Sequence, residues 1–226
     1  MKKILKTLLM FSLILLNKLI PYKNLKCSKN TKRCSDDIKN KNFKYYIFGK
    51  DTPSCCLNNL KEIMEDTIRI FSKYNKIYFI VWGTLLGAVR HRGFIPWDTD
   101  IDVGILENEC EEILKILEKE LGNKYYIDTS ELSSNRVIRI CFSKINTLHV
   151  DIEVWDKKNG ELHFYENGKE YIYKEEIFFP LKYFQFENLE VLGPRKEEKF
   201  LKEYYGQNFK TRGYKKYALL SKEVKI

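Results

Sequence analysis

Apolar residues recur at spacings of three and four between Leu57 and Phe71, which places them on one face of a helix. The same periodicity predicts a second amphipathic helix at residues 107–121 and a third at residues 197–205, each followed by a glycine. Since each helix has one apolar face, we expect all three to pack against a common core.

Short apolar runs and alternating patterns between these helices predict strands. The predicted strands are residues 78–82, 101–106, 125–128, 136–142, 148–155, 177–179, 183–186 and 189–192. A short helix is expected to open after Gly83-Thr84, and Asn159-Gly160 and Asn167-Gly168 are hairpin signals. Helices and strands in this order predict an α+β fold, with a mixed sheet flanked by helices.

The first 21 residues resemble a targeting segment. Three lysines precede an apolar run at residues 7–16, which is the pattern of a signal peptide. The run is shorter than the ~20 apolar residues of a membrane span, and both a cleaved signal and a signal anchor stay open. We therefore expect residues 1–21 to direct the chain to the secretory pathway, in the ER or Golgi lumen. A cysteine-containing lead-in at 22–56 and one globular domain at 57–226 would follow.

The net charge of +9 is unevenly distributed along the chain. The first 50 residues hold 13 Lys/Arg and two Asp/Glu, whereas the other 176 hold 27 and 29. The globular part is thus nearly neutral, and the basic residues belong to a Lys/Asn-rich segment near the predicted membrane-proximal end. We expect no nucleic-acid partner.

Four of the six cysteines precede the densest polar motifs: Cys27, Cys34, Cys55 and Cys56. Adjacent cysteines rarely bond to each other, but two crossed disulfides are compatible with this spacing. A tetrahedral zinc site with four thiolates is equally compatible with it. The spacing alone does not choose between them.

Asp100 and Asp102 flank Ile101 at the start of the strand predicted at 101–106. Side chains at i and i+2 of a strand face the same way, so the two carboxylates lie side by side while Ile101 points into the core. Asp98 adds a third carboxylate at the same spacing. Because such carboxylates repel one another unless a cation neutralises them, and because oxygen ligands suit hard cations, we predict a Mg²⁺ or Mn²⁺ site.

A second acidic strand at residues 148–155 is expected to complete this site. Alternation puts His149, Asp151, Glu153 and Trp155 on one face of it. We expect Asp151 to join the metal ligands and keep Glu153 as the alternative, with a further role near the substrate.

Gly83 and Thr84 lie between a predicted strand and a predicted helix, where unpaired backbone N–H groups bind phosphate well. Thr84 has two interpretations, a phosphate contact and an ordinary helix cap. Arg90 and His91 follow on the same helix, and a guanidinium pairs readily with phosphate oxygens. These residues, with Trp97 and Asp98, are the predicted substrate contacts.

Residues 82–102 read WGTLLGAVRHRGFIPWDTDID and resemble the signature of the LicD family, which includes phosphocholine transferases and the fukutin and fukutin-related enzymes. Thr99 stands where bacterial members often carry Asp, on the face opposite the metal pair. His149-Val150-Asp151, Phe179-Pro180 and residues 200–206 resemble later landmarks of the fukutin-related members, and the four N-terminal cysteines are spaced like their structural zinc ligands.

The resemblance implies a nucleotidyltransferase-like fold with a small N-terminal zinc-binding segment. It also implies a CDP-activated alcohol as donor and a glycan or glycoprotein as acceptor. The resulting hypothesis is a metal-dependent phosphotransferase that moves a group such as ribitol phosphate or phosphocholine to a glycan hydroxyl and releases CMP. Two alternatives stay open: a nucleotidyltransferase that moves NMP to a small molecule or RNA, and a non-catalytic glycan-binding relative.

Overall fold

The computed structural model describes residue 12 and residues 27–37, 51–217 and 220–225. The predicted targeting segment at 1–21 lies, apart from residue 12, outside the described residues. Among the helices in the described ranges, none is long and apolar enough to cross a bilayer.

Six α-helices lie within residues 51–217. They are α1 (Ser54–Lys73), α2 (Trp82–His91), α3 (Cys110–Leu121), α4 (Leu132–Asn135), α5 (Glu175–Phe178) and α6 (Glu197–Tyr205), and a 3-10 turn (Glu107–Glu109) precedes α3. The long amphipathic helices bury the apolar faces that their periodicity predicts, which on α1 are Leu60, Ile63, Met64, Ile68 and Phe71. Burying each such side chain contributes roughly 1.5–3 kcal/mol.

The strands form one large mixed sheet and two separate hairpins. The sheet contains β1 (Phe79–Ile80), β2 (Ile101–Leu106), β3 (Tyr126–Asp128), β4 (Val137–Cys141), β5 (His149–Lys158), β6 (Glu161–Glu166) and β7 (Lys169–Lys174). The hairpins are β8 (Lys182–Phe186) with β9 (Leu189–Gly193), and β10 (Arg212–Tyr217) with β11 (Leu220–Lys225).

The spatial order of the sheet is β1-β2-β5-β4-β3, and the second half of β5 continues into β6 and β7. β2 and β5 run parallel, while the other neighbouring strands of this sheet run antiparallel. The parallel register places Asp102 beside Asp151 and Gly104 beside Glu153. The two acidic strands of the sequence therefore lie next to each other at the centre of the sheet.

The core around this centre is rich in aromatic rings. Trp155 stacks on Phe164 with ring centroids 5.1 Å apart, and the ring of Phe79 meets that of Phe178 edge-on at 5.0 Å. All four side chains are buried. Offset and edge-on pairs of this kind add ~0.5–1.5 kcal/mol each beyond the burial of their area. They stabilise the core against which the strands that carry the aspartates pack.

The predicted fold class is confirmed: the architecture is α+β, with a mixed sheet flanked by helices. Two local predictions were wrong, and one hairpin was missed. Trp82 begins α2 and does not end β1, so Gly83-Thr84 lies inside the first turn of the helix. Residues 177–179, predicted as a strand, lie at the end of the short helix α5 and just beyond it. The β10–β11 hairpin was not predicted.

Candidate active site

The structure brings the predicted aspartates to one cavity of about 1180 Å³. Asp102 on β2 lies next to Asp151 on the parallel strand β5, and Asp98 and Asp100 belong to the loop that leads into β2. All four aspartates line this cavity. The alternating pattern predicted that Asp100 and Asp102 lie on one strand, but Asp100 precedes β2, and both residues nevertheless line the cavity.

Burial and neighbouring carboxylates raise the pKa of Asp98 and Asp102. Withdrawal from solvent raises the pKa of Asp98 and Asp102 well above the ordinary value of 3.8, and the nearby Asp100 adds to the shift in both. Glu153 and Asp151 raise the pKa of Asp102 further. A cavity with this much confined negative charge has a strong electrostatic preference for a cation.

Asp151 has two basic neighbours, His149, which alternation placed on the same face of the strand, and Arg139, which the sequence did not reveal. Arg139 on β4 stands opposite it across the strand pair, and Arg139 Nε donates to Asp151 Oδ1 at 3.0 Å. His149 Nε2 lies 3.5 Å from the same oxygen. Burial raises the pKa of Asp151, while His149 and Arg139 oppose that shift. Arg139 in turn binds Glu131, and all of these residues line the cavity.

Glu153 lies deeper and is engaged by two indoles. Trp82 Nε1 donates to both of its carboxylate oxygens at 2.9 Å, and Trp155 Nε1 donates to Oε2 at 3.2 Å. The side chain lines the cavity but only 5% of the residue is exposed. Burial raises its pKa well above the usual range, and the bond from Trp82 opposes that shift. These hydrogen bonds fix Glu153 between two indole rings at the floor of the cavity.

Gly83 and Thr84 lie at the start of α2, next to two of the aspartates: Gly83 adjoins the Asp98 carboxylate and Thr84 binds the backbone of Asp102. A Cβ at Gly83 would lie 2.8 Å from Asp98 Oδ2, so the absence of a side chain gives the carboxylate its space. Thr84 is buried, and its hydroxyl accepts a hydrogen bond from the backbone N–H of Asp102 at 2.8 Å. The helix-cap interpretation of Thr84 was wrong, because Val81 is the N-cap and no side chain caps the helix.

The other predicted substrate contacts divide into two groups. Arg90 and Trp97 line the cavity, whereas His91 is not among the residues that do. Arg90 Nη1 donates to the carbonyls of Phe209 and Arg212 at 3.0 and 3.2 Å, so it also holds the chain that follows α6 against α2. Burial lowers the pKa of His91, and the adjacent Arg90 lowers it further.

Aromatic residues form a further wall of the cavity. The ring of Tyr204 lies 4.4 Å from that of Trp82, and Tyr171 and Tyr205 lie beside it. Sequence reasoning missed these tyrosines. Residues 204–206 belong to the motif that was matched for its resemblance alone, and only the folded chain shows that α6 brings its end to the cavity.

The four N-terminal cysteines come together in one cluster, and none of them is among the residues that line the cavity. The Sγ atoms of Cys27, Cys34, Cys55 and Cys56 all lie within 4.8 Å of one another. The side-chain amides of Asn59 and Asn146 donate to Cys27 Sγ at 3.2 and 3.3 Å. Sulfur ligands around a tetrahedral zinc are separated by ~3.8 Å, so the four sulfurs are a suitable donor set for zinc but form a looser cluster, with separations of up to 4.8 Å.

The aspartates fit a harder cation by their chemistry. They offer several carboxylate oxygens with raised pKa values in one cavity, which suits Mg²⁺ or Mn²⁺. Their oxygens are more widely spaced than the cysteine sulfurs. Among the described residues, the four cysteine sulfurs are the one set of three or more potential ligand atoms in which every pair lies within 4.8 Å. The aspartate oxygens do not form such a set. A cation at the aspartates would therefore draw the carboxylates together.

Comparison with known proteins places this geometry in a family. Residues 75–196, more than half of the chain, match the family described as LicD/FKTN/FKRP, nucleotidyltransferase domain. The match includes α2, the acidic loop and both acidic strands. The resemblance expected from residues 82–102 is thereby confirmed.

Individual relatives come from bacteria and mammals. An uncharacterized protein of Rickettsia typhi is 33% identical over 141 residues, which are 60% of this chain and 42% of that protein. Ribitol 5-phosphate transferase FKRP of Mus musculus is 28% identical over 186 residues, 80% of this chain and 38% of the mouse protein. Lipopolysaccharide cholinephosphotransferase LicD of Haemophilus influenzae is 37% identical over 76 residues, 34% of this chain and 27% of that protein. The matched region spans less than half of each of these relatives.

Proposed function

Because the chain belongs to the LicD/FKTN/FKRP family of nucleotidyltransferase domains, we propose that it transfers a phospho-alcohol group from a CDP-activated donor to a hydroxyl of a glycan and releases CMP. The observation that supports this most strongly is the pairing of Asp102 with Asp151 on neighbouring parallel strands in one cavity. The names of two relatives support the class of group transferred, ribitol 5-phosphate in one and phosphocholine in the other.

In this proposal Asp100, Asp102 and Asp151 hold one or two Mg²⁺ or Mn²⁺ ions, with Asp98 next to them. Such a cation, when bound, neutralises the donor pyrophosphate and stabilises the CMP that leaves. Thr84 keeps Asp102 in place through its backbone, since the Thr84 hydroxyl accepts the Asp102 N–H. The absence of a side chain at Gly83 leaves room for the Asp98 carboxylate beside the start of α2.

Donor phosphates would lie between the aspartates and Arg90. The Arg90 guanidinium lines the cavity, and a guanidinium bonds well with phosphate oxygens. Trp97 and the tyrosine wall offer flat apolar surfaces for the cytosine ring or the transferred alcohol. The function proposed for this end of the cavity is to orient the donor and exclude water from the phosphorus that is attacked.

We assign the acceptance of the glycan hydroxyl proton to Asp98. Its raised pKa makes it a stronger base than an ordinary aspartate once it is ionised. Glu153, the other candidate, accepts hydrogen bonds from two indoles and lies deeper in the protein. Its contribution is to support Trp82 and the cavity floor.

Thermal-shift measurements with Mn²⁺ and a panel of CDP-ribitol, CDP-choline, CDP-glycerol and CDP-ethanolamine test the donor. A selective rise in melting temperature identifies the alcohol, because a ligand that binds only the native state stabilises it. Asp102→Asn is expected to remove the shift, whereas the matched variant Asp128→Asn, on β3 and outside the cavity lining, is expected to keep it.

Product analysis separates the proposal from its rivals. Free CMP together with a phospho-alcohol on the glycan acceptor supports the proposed reaction. CMP attached to the acceptor would instead make the protein a nucleotidyltransferase. If the wild-type chain binds neither Mn²⁺ nor any CDP-compound, the proposal fails in favour of a non-catalytic relative.

We propose in addition that Cys27, Cys34, Cys55 and Cys56 bind a structural zinc ion. The support is the clustering of their sulfur atoms and the two hydrogen bonds that the side-chain amides of Asn59 and Asn146 donate to Cys27 Sγ. Elemental analysis of the purified full chain should find one zinc per molecule, lost in Cys55→Ser. Zinc-free protein with oxidised cysteines would instead favour the two-disulfide alternative.

We also propose that residues 1–21 bring the chain into the secretory pathway, in the ER or Golgi lumen, as a cleaved signal or an anchor. The support is the charge and apolar pattern of that segment. Protease protection of a C-terminally tagged full chain in membrane vesicles tests this. Full digestion without detergent would contradict it.

A further inference from the structure

Arg139 lies in an unusual position for a cation, since it shares a cavity with the carboxylates proposed to bind a metal. It belongs to β4, and the antiparallel register places it directly opposite Asp151 on β5. Its side chain is 28% exposed and that of Asp151 is 15% exposed. The side chains of a partly buried ion pair are held in a narrower range of orientations than those of an exposed pair on the surface.

The hydrogen bonds of Arg139 show what it is arranged to do. Nε donates to Asp151 Oδ1 at 3.0 Å, Nη2 donates to Glu131 Oε2 at 3.1 Å, and Nη1 donates to Glu131 Oε1. All three nitrogens of the guanidinium thus bind carboxylates. A group committed in this way orients its neighbours, and it is a poor candidate for gripping a donor phosphate.

Glu131 is itself fixed, and it balances the charge. It is the residue immediately before α4, and its Oε2 also accepts a hydrogen bond from the side-chain amide of Asn135 at 2.9 Å. Because its carboxylate offsets the guanidinium charge, Arg139 adds little net repulsion toward a divalent cation nearby. Glu131 therefore allows an arginine to stand beside a cation site.

From this geometry we propose that Arg139, held by Glu131, is a positioning residue that fixes the Asp151 carboxylate as a metal ligand beside Asp102. The proposal rests on the metal site of the proposed function. It assigns a task to the Glu131–Arg139–Asp151 chain of contacts, which joins the turn before α4 to the centre of the sheet. Asp151 is held in one orientation by Arg139 before any cation arrives, so less ordering is required when the cation binds.

The test measures Mn²⁺ binding to the full chain by electron paramagnetic resonance of free Mn²⁺, with the melting temperature recorded alongside. Arg139→Gln is expected to weaken Mn²⁺ binding about tenfold. Arg139→Lys should be intermediate, because an ammonium reaches Asp151 but cannot bridge it to Glu131 as a guanidinium does. In an Asp151→Asn background, Arg139→Gln should have no further effect on Mn²⁺ affinity.

Arg136 provides the matched control. It is also partly buried, with 25% of its side chain exposed, and it bridges two carboxylates, Asp156 and Glu107, away from the cavity lining. Arg136→Gln should lower the melting temperature as Arg139→Gln does and leave Mn²⁺ affinity unchanged. Comparing the two variants removes any general effect of losing an arginine ion pair.

Activity adds a second readout. If Arg139 acts through Asp151, raising the Mn²⁺ concentration restores the turnover of Arg139→Gln with an unchanged KM for the donor. A raised donor KM that Mn²⁺ does not correct would overturn the proposal and make Arg139 a phosphate contact.

The remaining outcomes are also decisive. Unchanged or tighter Mn²⁺ binding in Arg139→Gln, with normal binding by the wild type, would refute the positioning role and leave the proposed function standing. Absence of Mn²⁺ binding in the wild-type chain would remove the metal site itself and both proposals with it.

Discussion

Gly83 shows at the scale of a single residue how the site depends on an absent side chain. The position lies in the first turn of α2, and a Cβ there would stand 2.8 Å from Asp98 Oδ2 and 3.8 Å from Asp102 Oδ2. Asp98 has little freedom to move away, because its Oδ1 accepts the backbone N–H of Thr99 and its carbonyl accepts the hydroxyl of Thr52.

We therefore predict that Gly83→Ala weakens Mn²⁺ binding several-fold without a matching loss of stability. Alanine favours a helix over glycine by about 1 kcal/mol, which offsets the cost of moving the carboxylate. Isothermal titration with Mn²⁺ and a denaturant titration of the same preparation measure the two effects. Wild-type affinity in this variant would mean that Asp98 has room to spare.

Glu153 is a second residue at which a single substitution is expected to have a large effect. Both of its oxygens accept indole N–H groups, so Glu153→Gln turns an amide N–H₂ toward a donor. With the amide oxygen at the Oε2 position both indoles keep an acceptor, but the new N–H₂ faces Trp82 Nε1 and is a buried donor without an acceptor there, so we expect a destabilisation of about 1–3 kcal/mol. Chemical denaturation measures it, with Glu190→Gln on the exposed face of β9 as the control of equal chemistry. Equal stability of both variants would contradict this account of Glu153.

At the scale of elements, local signals predicted the bounds of β2 and α6 correctly. β2 alternates and follows a proline-containing turn, and α6 ends at Gly206, whose φ of 85° favours glycine. The three apolar residues at 177–179 failed as a strand, because so short a run does not distinguish a strand from a buried helical turn. Arg139 stayed hidden because its role depends on the register of β4 against β5, which no local pattern records.

Two cysteine-bearing segments brace the acidic loop, and this too is visible only in the fold. Arg33, beside Cys34, donates through Nη2 to the carbonyl of Thr99. Thr52, which precedes Cys55, donates through Oγ1 to the carbonyl of Asp98 at 2.6 Å. The backbone that carries the aspartates is therefore tied on one side to the cysteine cluster.

This brace predicts that Thr52→Val lowers Mn²⁺ affinity several-fold as well as stability by about 1 kcal/mol. The change removes one hydroxyl and keeps the shape of the side chain, so its effect on affinity comes from the loosened Asp98 carbonyl. Thr67→Val is the matched control, since Thr67 is also buried, in α1, and its hydroxyl donates to the carbonyl of Ile63 at 2.8 Å. A similar affinity loss in both variants would show that the brace is not specific.

At the scale of the whole molecule, the cavity brings together several carboxyl groups, and the protein's own cationic side chains offset only part of their charge. Arg139 offsets Asp151, while Asp98 and Asp102 have pKa values raised first by burial and then by neighbouring carboxylates. A carboxyl group whose pKa is higher in the folded than in the unfolded state favours folding while it is protonated. That contribution is complete below the ordinary value of 3.8 and is lost as the pH rises through the folded-state pKa.

A divalent cation reverses this trend, because it binds the ionised carboxylates and displaces their protons. We predict that the rise in melting temperature caused by saturating Mg²⁺ grows as the pH rises from the ordinary aspartate value of 3.8 through the raised folded-state pKa values. Differential scanning calorimetry of the full chain with and without Mg²⁺ measures it. Asp102→Asn should flatten the dependence, since it removes the aspartate that all the other carboxylates of the site influence. A Mg²⁺ effect that is the same at every pH would show that the bound cation displaces no protons, and that these aspartates are ionised before it arrives.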